Sequence, residues 1–140
     1  MSAKETELLY KDALATIWWH TETKCVELVG KGTAVSGQYR VLMEKILDLI
    51  RQKHARKLLS DVYEVEGLTG EDLVWTDTDW NPRFRQTGVR FSAVVAPKAL
   101  GLHLSIDKMM GDEEVHAAGL VTRLFSEPDK AREWLDKQKG

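Results

Sequence analysis

Hydrophobic and polar positions alternate near the start of the chain. Over Leu14–His20, Ala15, Ile17 and Trp19 fall on one side and Thr16, Trp18 and His20 on the other, the period of a strand. Thr21–Lys24 is polar and predicts a hairpin turn, so Cys25–Lys31 is a second strand antiparallel to the first, and the pair is expected to form an antiparallel edge of the sheet. The period then changes to that of a helix. Ser36 predicts an N-cap, and over Gly37–Lys53 the residues Tyr39, Leu42, Ile46, Leu49 and Ile50 make one apolar stripe. Lys57–Asp61 is a short strand, and the strand–helix–strand order implies a right-handed parallel crossover.

Val62–Leu68 reads as a loop. Thr69 then caps a second helix in a partial capping box with Asp72. That helix carries Leu73, Val74 and Trp75 and is expected to break or kink near Asn81-Pro82, where Pro82 opens a short further turn ending at Gly88. Val89–Val95 is a near-continuous apolar strand, as expected where both faces are covered. Lys98–Ala118 is ambiguous: Leu104, Met109 and Met110 suggest a helix, while Gly101, Gly111 and Gly119 interrupt it. Leu120–Phe125 is the last strand. Glu127 or Pro128 opens a last helix whose Ala131, Trp134 and Leu135 share a face.

The expected class is thus α/β, in the order β-β-α-β-α-β-α-β-α, with a mostly parallel sheet, one antiparallel edge strand and helices packed on it. Three stretches carry a family resemblance: Lys57-Leu58-Leu59-Ser60-Asp61; Trp75, Trp80, Pro82 and Arg83 ahead of Ala93-Val94-Val95; and Phe125-Ser126-Glu127 followed by Ala131, Trp134 and Leu135. With them the chain resembles the SpoIIAA-like, STAS-type domains, in particular the small stand-alone bacterial proteins described as STAS/SEC14-like. The resemblance covers about residues 10–136 and implies one domain over residues 1–140. In the anti-sigma-factor antagonists of this fold, a serine at the start of the second helix is phosphorylated within an Asp-Ser-Ser-Gly-like motif. This chain lacks that motif; Thr69 stands at the helix start and Ser60 at the strand end, and these are the two candidate phosphosites.

Composition narrows the function. The 140 residues carry a net charge of −2, which argues against nucleic acid as a partner. Arg83, Arg85 and Arg90 are the nearest approach to a basic patch and read as a solvated face. No apolar run approaches a membrane span. Met1–Tyr10 has no apolar stretch of the signal-peptide kind, and a single cysteine, Cys25, makes no internal disulfide, so a cytoplasmic protein is expected. His20, His54, His103 and His116 lack metal-ligand spacing, so neither metal nor cofactor is expected. Gly30-Lys31-Gly32-Thr33 imitates only the end of a phosphate loop. Cys25, which the hairpin could bring near His20, reads as a small packed or half-exposed thiol. Glu71 and Asp72 suit a helix N-terminus, which leaves Asp77 and Asp79 as the remaining carboxylate pair.

The aromatic and methionine residues give the candidate surface. Of five tryptophans, Trp19, Trp134 and one of Trp75 or Trp80 suit a core. Trp18 points opposite to Trp19 and either packs against Leu8-Leu9-Tyr10 or marks an interface. Trp18, Trp75, Trp80, Leu104, Met109 and Met110 form the candidate interface or ligand surface. The function read from this is a non-catalytic regulatory or protein-interaction domain that binds a partner or a second copy of itself. A carrier or sensor of an apolar, lipid-like ligand is the alternative. An enzyme comes third, because no nucleophile–base constellation stands in the sequence.

Overall fold

The computed structural model describes residues 6–33, 36–66, 70–95, 115–117 and 119–139. Its strands are β1 (Thr6–Lys11), β2 (Ala15–His20), β3 (Cys25–Gly32), β4 (Lys57–Val65), β5 (Phe91–Val95), β6 (Val115–Ala117) and β7 (Leu120–Phe125). They form one sheet in the order β1-β2-β3-β4-β5-β7-β6. The four strands β3, β4, β5 and β7 pair in parallel, and antiparallel strands flank them on both sides.

Helix α1 (Ser36–Lys53) lies on one face of this sheet. Its Ile46, Leu47 and Ile50 pack with Ala15, Ile17 and Trp19 of β2, Val26 and Leu28 of β3, and Leu58 of β4. The helix stops where His54 turns left-handed, at φ 54°, and Ala55 N–H closes back on the Ile50 carbonyl. That places His54 as a cap. Helix α4 (Pro128–Lys137) covers the opposite face, where Ala131, Trp134 and Leu135 meet Cys25, Leu59, Ala93 and Val95.

Between β4 and β5 the chain makes one helical segment in three parts: α2 (Gly70–Trp75), a π turn (Thr76–Trp80) and α3 (Asn81–Arg85). Trp75, Trp80 and Asn81 at the junctions all keep right-handed helical dihedrals. The break expected at Asn81-Pro82 is therefore a widened turn, and α3 ends at Arg85 rather than at Gly88. Asn81 N–H reaches the Thr76 carbonyl five residues back, just before the proline that cannot donate. The hydroxyls of Thr76 and Thr78 donate to the carbonyls of Asp72 and Val74, each at 2.8 Å, and fill acceptors beside the irregular turn.

Other sequence expectations need correction. The antiparallel pair β2–β3 is not itself the edge: β1 extends it outward, and β6 makes a second antiparallel edge beyond β7. A bulge between Leu8 and Tyr10 sets Leu9 and Tyr10 both against the α1-side core, which erases the alternation that would announce a strand. Strand β4 continues to Val65 instead of stopping at Asp61, so Ser60 lies mid-strand, in register with Leu28 and Val94. The Gly30–Gly32 stretch is strand β3 pairing with β4; a Cβ at Gly30 would stand 3.0 Å from Val65 Cγ2. Strand β5 starts at Phe91, with Val89 buried ahead of it. The expectations for the Ser36 side chain, Thr69, Leu104, Met109 and Met110 lie outside the described residues.

Candidate functional site

Two surfaces concentrate chemistry or unexplained exposure. The first is built on β3, where Glu27 stands inside an apolar strand with only 5% of its surface exposed. Hairpin register sets Trp18 beside Glu27 and His20 beside Cys25, on the α4 side of the sheet. His20 Nε2 donates to Glu27 Oε1 at 2.7 Å, and Arg132 Nη2 of α4 donates to Oε2 at 2.6 Å. His20 Nδ1 lies 3.2 Å from the Thr6 hydroxyl of β1. A carboxylate only accepts, so His20 carries its hydrogen on Nε2, and the Thr6 hydroxyl can serve Nδ1 with or without a second proton. Burial works to raise the Glu27 carboxyl, but the His20 and Arg132 hydrogen bonds outweigh it and leave it below the ordinary glutamate value.

Neighbouring polar groups are likewise committed. Lys57 is buried, and its Nζ donates at 2.7 Å to the Leu135 carbonyl in the last turn of α4, where a cation suits the helix dipole. Asp61 accepts from Tyr63 N–H at 3.2 Å, and burial pushes its carboxyl up. A cleft of about 140 Å³ opens here between His20, Cys25, Glu27, Leu59 and Arg132, with Glu22 and Asp136 also lining it. Burial first, and the nearby Glu27 charge second, push the Cys25 thiol up to about 12. A thiol so held is no nucleophile at neutral pH. Cys25 is expected to resist a disulfide reagent such as DTNB in the folded protein and to react at once in denaturant. Rapid labelling of the native state would show that the thiol is accessible as thiolate.

The second surface is helical. Trp75 is half-buried, with the Tyr39 ring edge-on at 6.1 Å and the Arg40 guanidinium 5.1 Å above its own ring. Arg40 Nε also reaches Asp72 Oδ1 at 3.3 Å, and Asp72 is fully buried. Asp72 therefore faces α1, which its expected capping-box role did not include. Just beyond it, Leu73 is 39% and Val74 61% exposed.

The other sequence candidates separate. Trp80 is a core residue and not a surface one: it is 4% exposed, stacks on Phe84 and donates from Nε1 to the Met43 carbonyl. Trp18 is half-buried beside Leu8 of β1, which is 47% exposed. Arg83 is no part of a basic patch, because Glu44 takes it in two bonds of 2.7 and 2.6 Å and Asp79 in a third of 2.7 Å. That contact also occupies Asp79. Sequence reasoning missed Glu27 and Arg132, although a lone acid at the centre of Cys25-Val26-Glu27-Leu28-Val29 signals a buried, paired carboxylate.

No protein-family model matches the chain, and no curated protein matches it. Among solved structures, it is similar to an uncharacterised protein of the DUF3478 family from Shewanella loihica PV-4, described as having a SpoIIAA-like fold. The two are 12% identical, with a TM-score of 0.50, over 93% of this chain and 91% of that one. With its antiparallel-flanked parallel sheet and its crossover helices, the chain has the SpoIIAA-like, STAS-type fold.

Proposed function

We propose that the protein is a non-catalytic interaction module, a single cytoplasmic domain that docks a protein partner through the α2 surface around Trp75. The carrying observation is the pair Leu73-Val74, consecutive apolar residues on α2 that stand out in solvent beside a half-buried tryptophan. The chemistry of the charged cleft supports the same reading from the other side. Its carboxylate, imidazole and guanidinium hold one another, and its thiol is held neutral, which leaves no free nucleophile–base pair. No described helix is long and apolar enough to cross a membrane.

A photo-crosslinking residue in place of Val74 tests this reading, with one in place of the exposed Glu133 on α4 as control. A defined adduct at 74 and none at 133 is expected; an adduct of twice the chain mass identifies a second copy. Unlabelled wild-type protein should compete it away. The Leu73→Ser/Val74→Ser double variant should not compete, while melting within a degree or two of wild type, because both side chains already face water. Equal competition by the double variant, or no adduct at 74, would sink the proposal.

A further inference from the structure

Arg123 of β7 shares its strand face with Val121 and Phe125, the face covered by α4. Its register partner on β5 is Ala93, too small to reach it, and its guanidinium carbon lies 5.1 Å from the centre of the Phe125 ring. Its Nε is buried and has no hydrogen-bond partner, and no ion pair joins the side chain among the described residues. Arg40, Arg51, Arg83 and Arg132 all sit against carboxylates. A buried donor on a permanent cation, left without an acceptor among the described residues, costs stability until an acceptor reaches it.

The surroundings say what kind of group that is. Val121, Phe125 and Phe91 are partly buried apolar side chains on the same face, and Trp134 lies 5.8 Å from Phe125 and 6.1 Å from Phe91. A planar guanidinium offers two parallel donors to an oxyanion. We infer that Arg123 anchors an anionic oxyacid group, a carboxylate or phosphate, whose apolar body lies along the Phe91–Phe125 surface. This site does not depend on the docking surface of α2.

The test uses inorganic phosphate, octanoate, octyl phosphate and neutral octanol as probes. Binding is measured by calorimetry and by the Arg123 Nε–H signal in a ¹H–¹⁵N spectrum, assigned through its loss in Arg123→Gln. The signal is expected to move saturably with octanoate and octyl phosphate and not with octanol. Arg123→Gln should weaken binding about tenfold or more, and Arg123→Lys less, since it keeps charge but not the fork. Both variants should melt within a few degrees of wild type, because among the described residues the Phe125 ring contact is the one interaction that Arg123→Gln gives up. A matching response to inorganic phosphate marks a free anion as the source; a response confined to the octyl compounds marks an amphiphile. No saturable shift with any anion, or unchanged affinity in Arg123→Gln, overturns the inference.

Discussion

Replacing Trp80 by alanine is expected to remove about 3–5 kcal/mol of folding stability, the cost of emptying a buried aromatic site. Trp80 ends the π turn and is 4% exposed. Its ring stacks on Phe84 at 4.9 Å and 19°, and both rings join the core formed by α1 and the sheet. Its Nε1 donates at 2.8 Å to the Met43 carbonyl of α1, so the side chain fastens the irregular helical segment to the most regular helix in the fold. Trp80→Phe keeps most of the apolar volume and loses the bond, and should cost about 1–2 kcal/mol. Trp75→Ala should cost about 1 kcal/mol, because that ring is already half in water and gives up chiefly the Arg40 and Tyr39 contacts. Urea midpoints for the three variants check the order. A Trp75→Ala loss equal to that of Trp80→Ala would mean that Trp75 packs as deeply as Trp80 does.

The same pair of tryptophans shows where sequence reading stops. Helix α1 is legible because five apolar residues repeat at helical steps over eighteen residues, and β2 because its alternation is unbroken. Trp75 and Trp80 are five apart, which an α-helix would turn by about 140° and a π turn changes again; only the π turn decides which ring enters the core. Strand β1 is hidden by its bulge, and β6 by being three residues long. The charged site is hidden for a different reason. Arg132 lies 105 residues from Glu27, and no local pattern announces a contact made only when the last helix docks across the sheet. Fold followed from local periodicity, and the site depended on long-range closure.

Glu27 is where that closure can be measured. Glu27→Gln is expected to lower stability by about 2–3 kcal/mol near neutral pH. It stays below the full cost of breaking a buried pair, because the Arg132 side chain is 43% exposed and water can solvate it once its partner is neutral. The pH dependence separates this from simple loss of packing. The folded Glu27 carboxyl lies below its ordinary value, so its contribution is complete above the ordinary glutamate range, about 4.3, and disappears as pH falls through the folded value. Asp61 works in the opposite sense: burial raises its carboxyl, so ionising it costs stability as pH climbs from about 3.9. Wild-type stability should therefore fall on acidification below about pH 4.5, with Asp61 partly offsetting the fall. Glu27→Gln should be less stable at pH 7 but flatter through the acid limb, so the two curves converge toward pH 3. An Arg132→Gln variant should reproduce most of the loss, and the double variant should lose less than the sum, because the two side chains act through one contact. Parallel curves at every pH, or a fully additive double variant, would show that Glu27 holds its place by shape and not by charge, with α4 held to the sheet by the Trp134–Leu135 core alone.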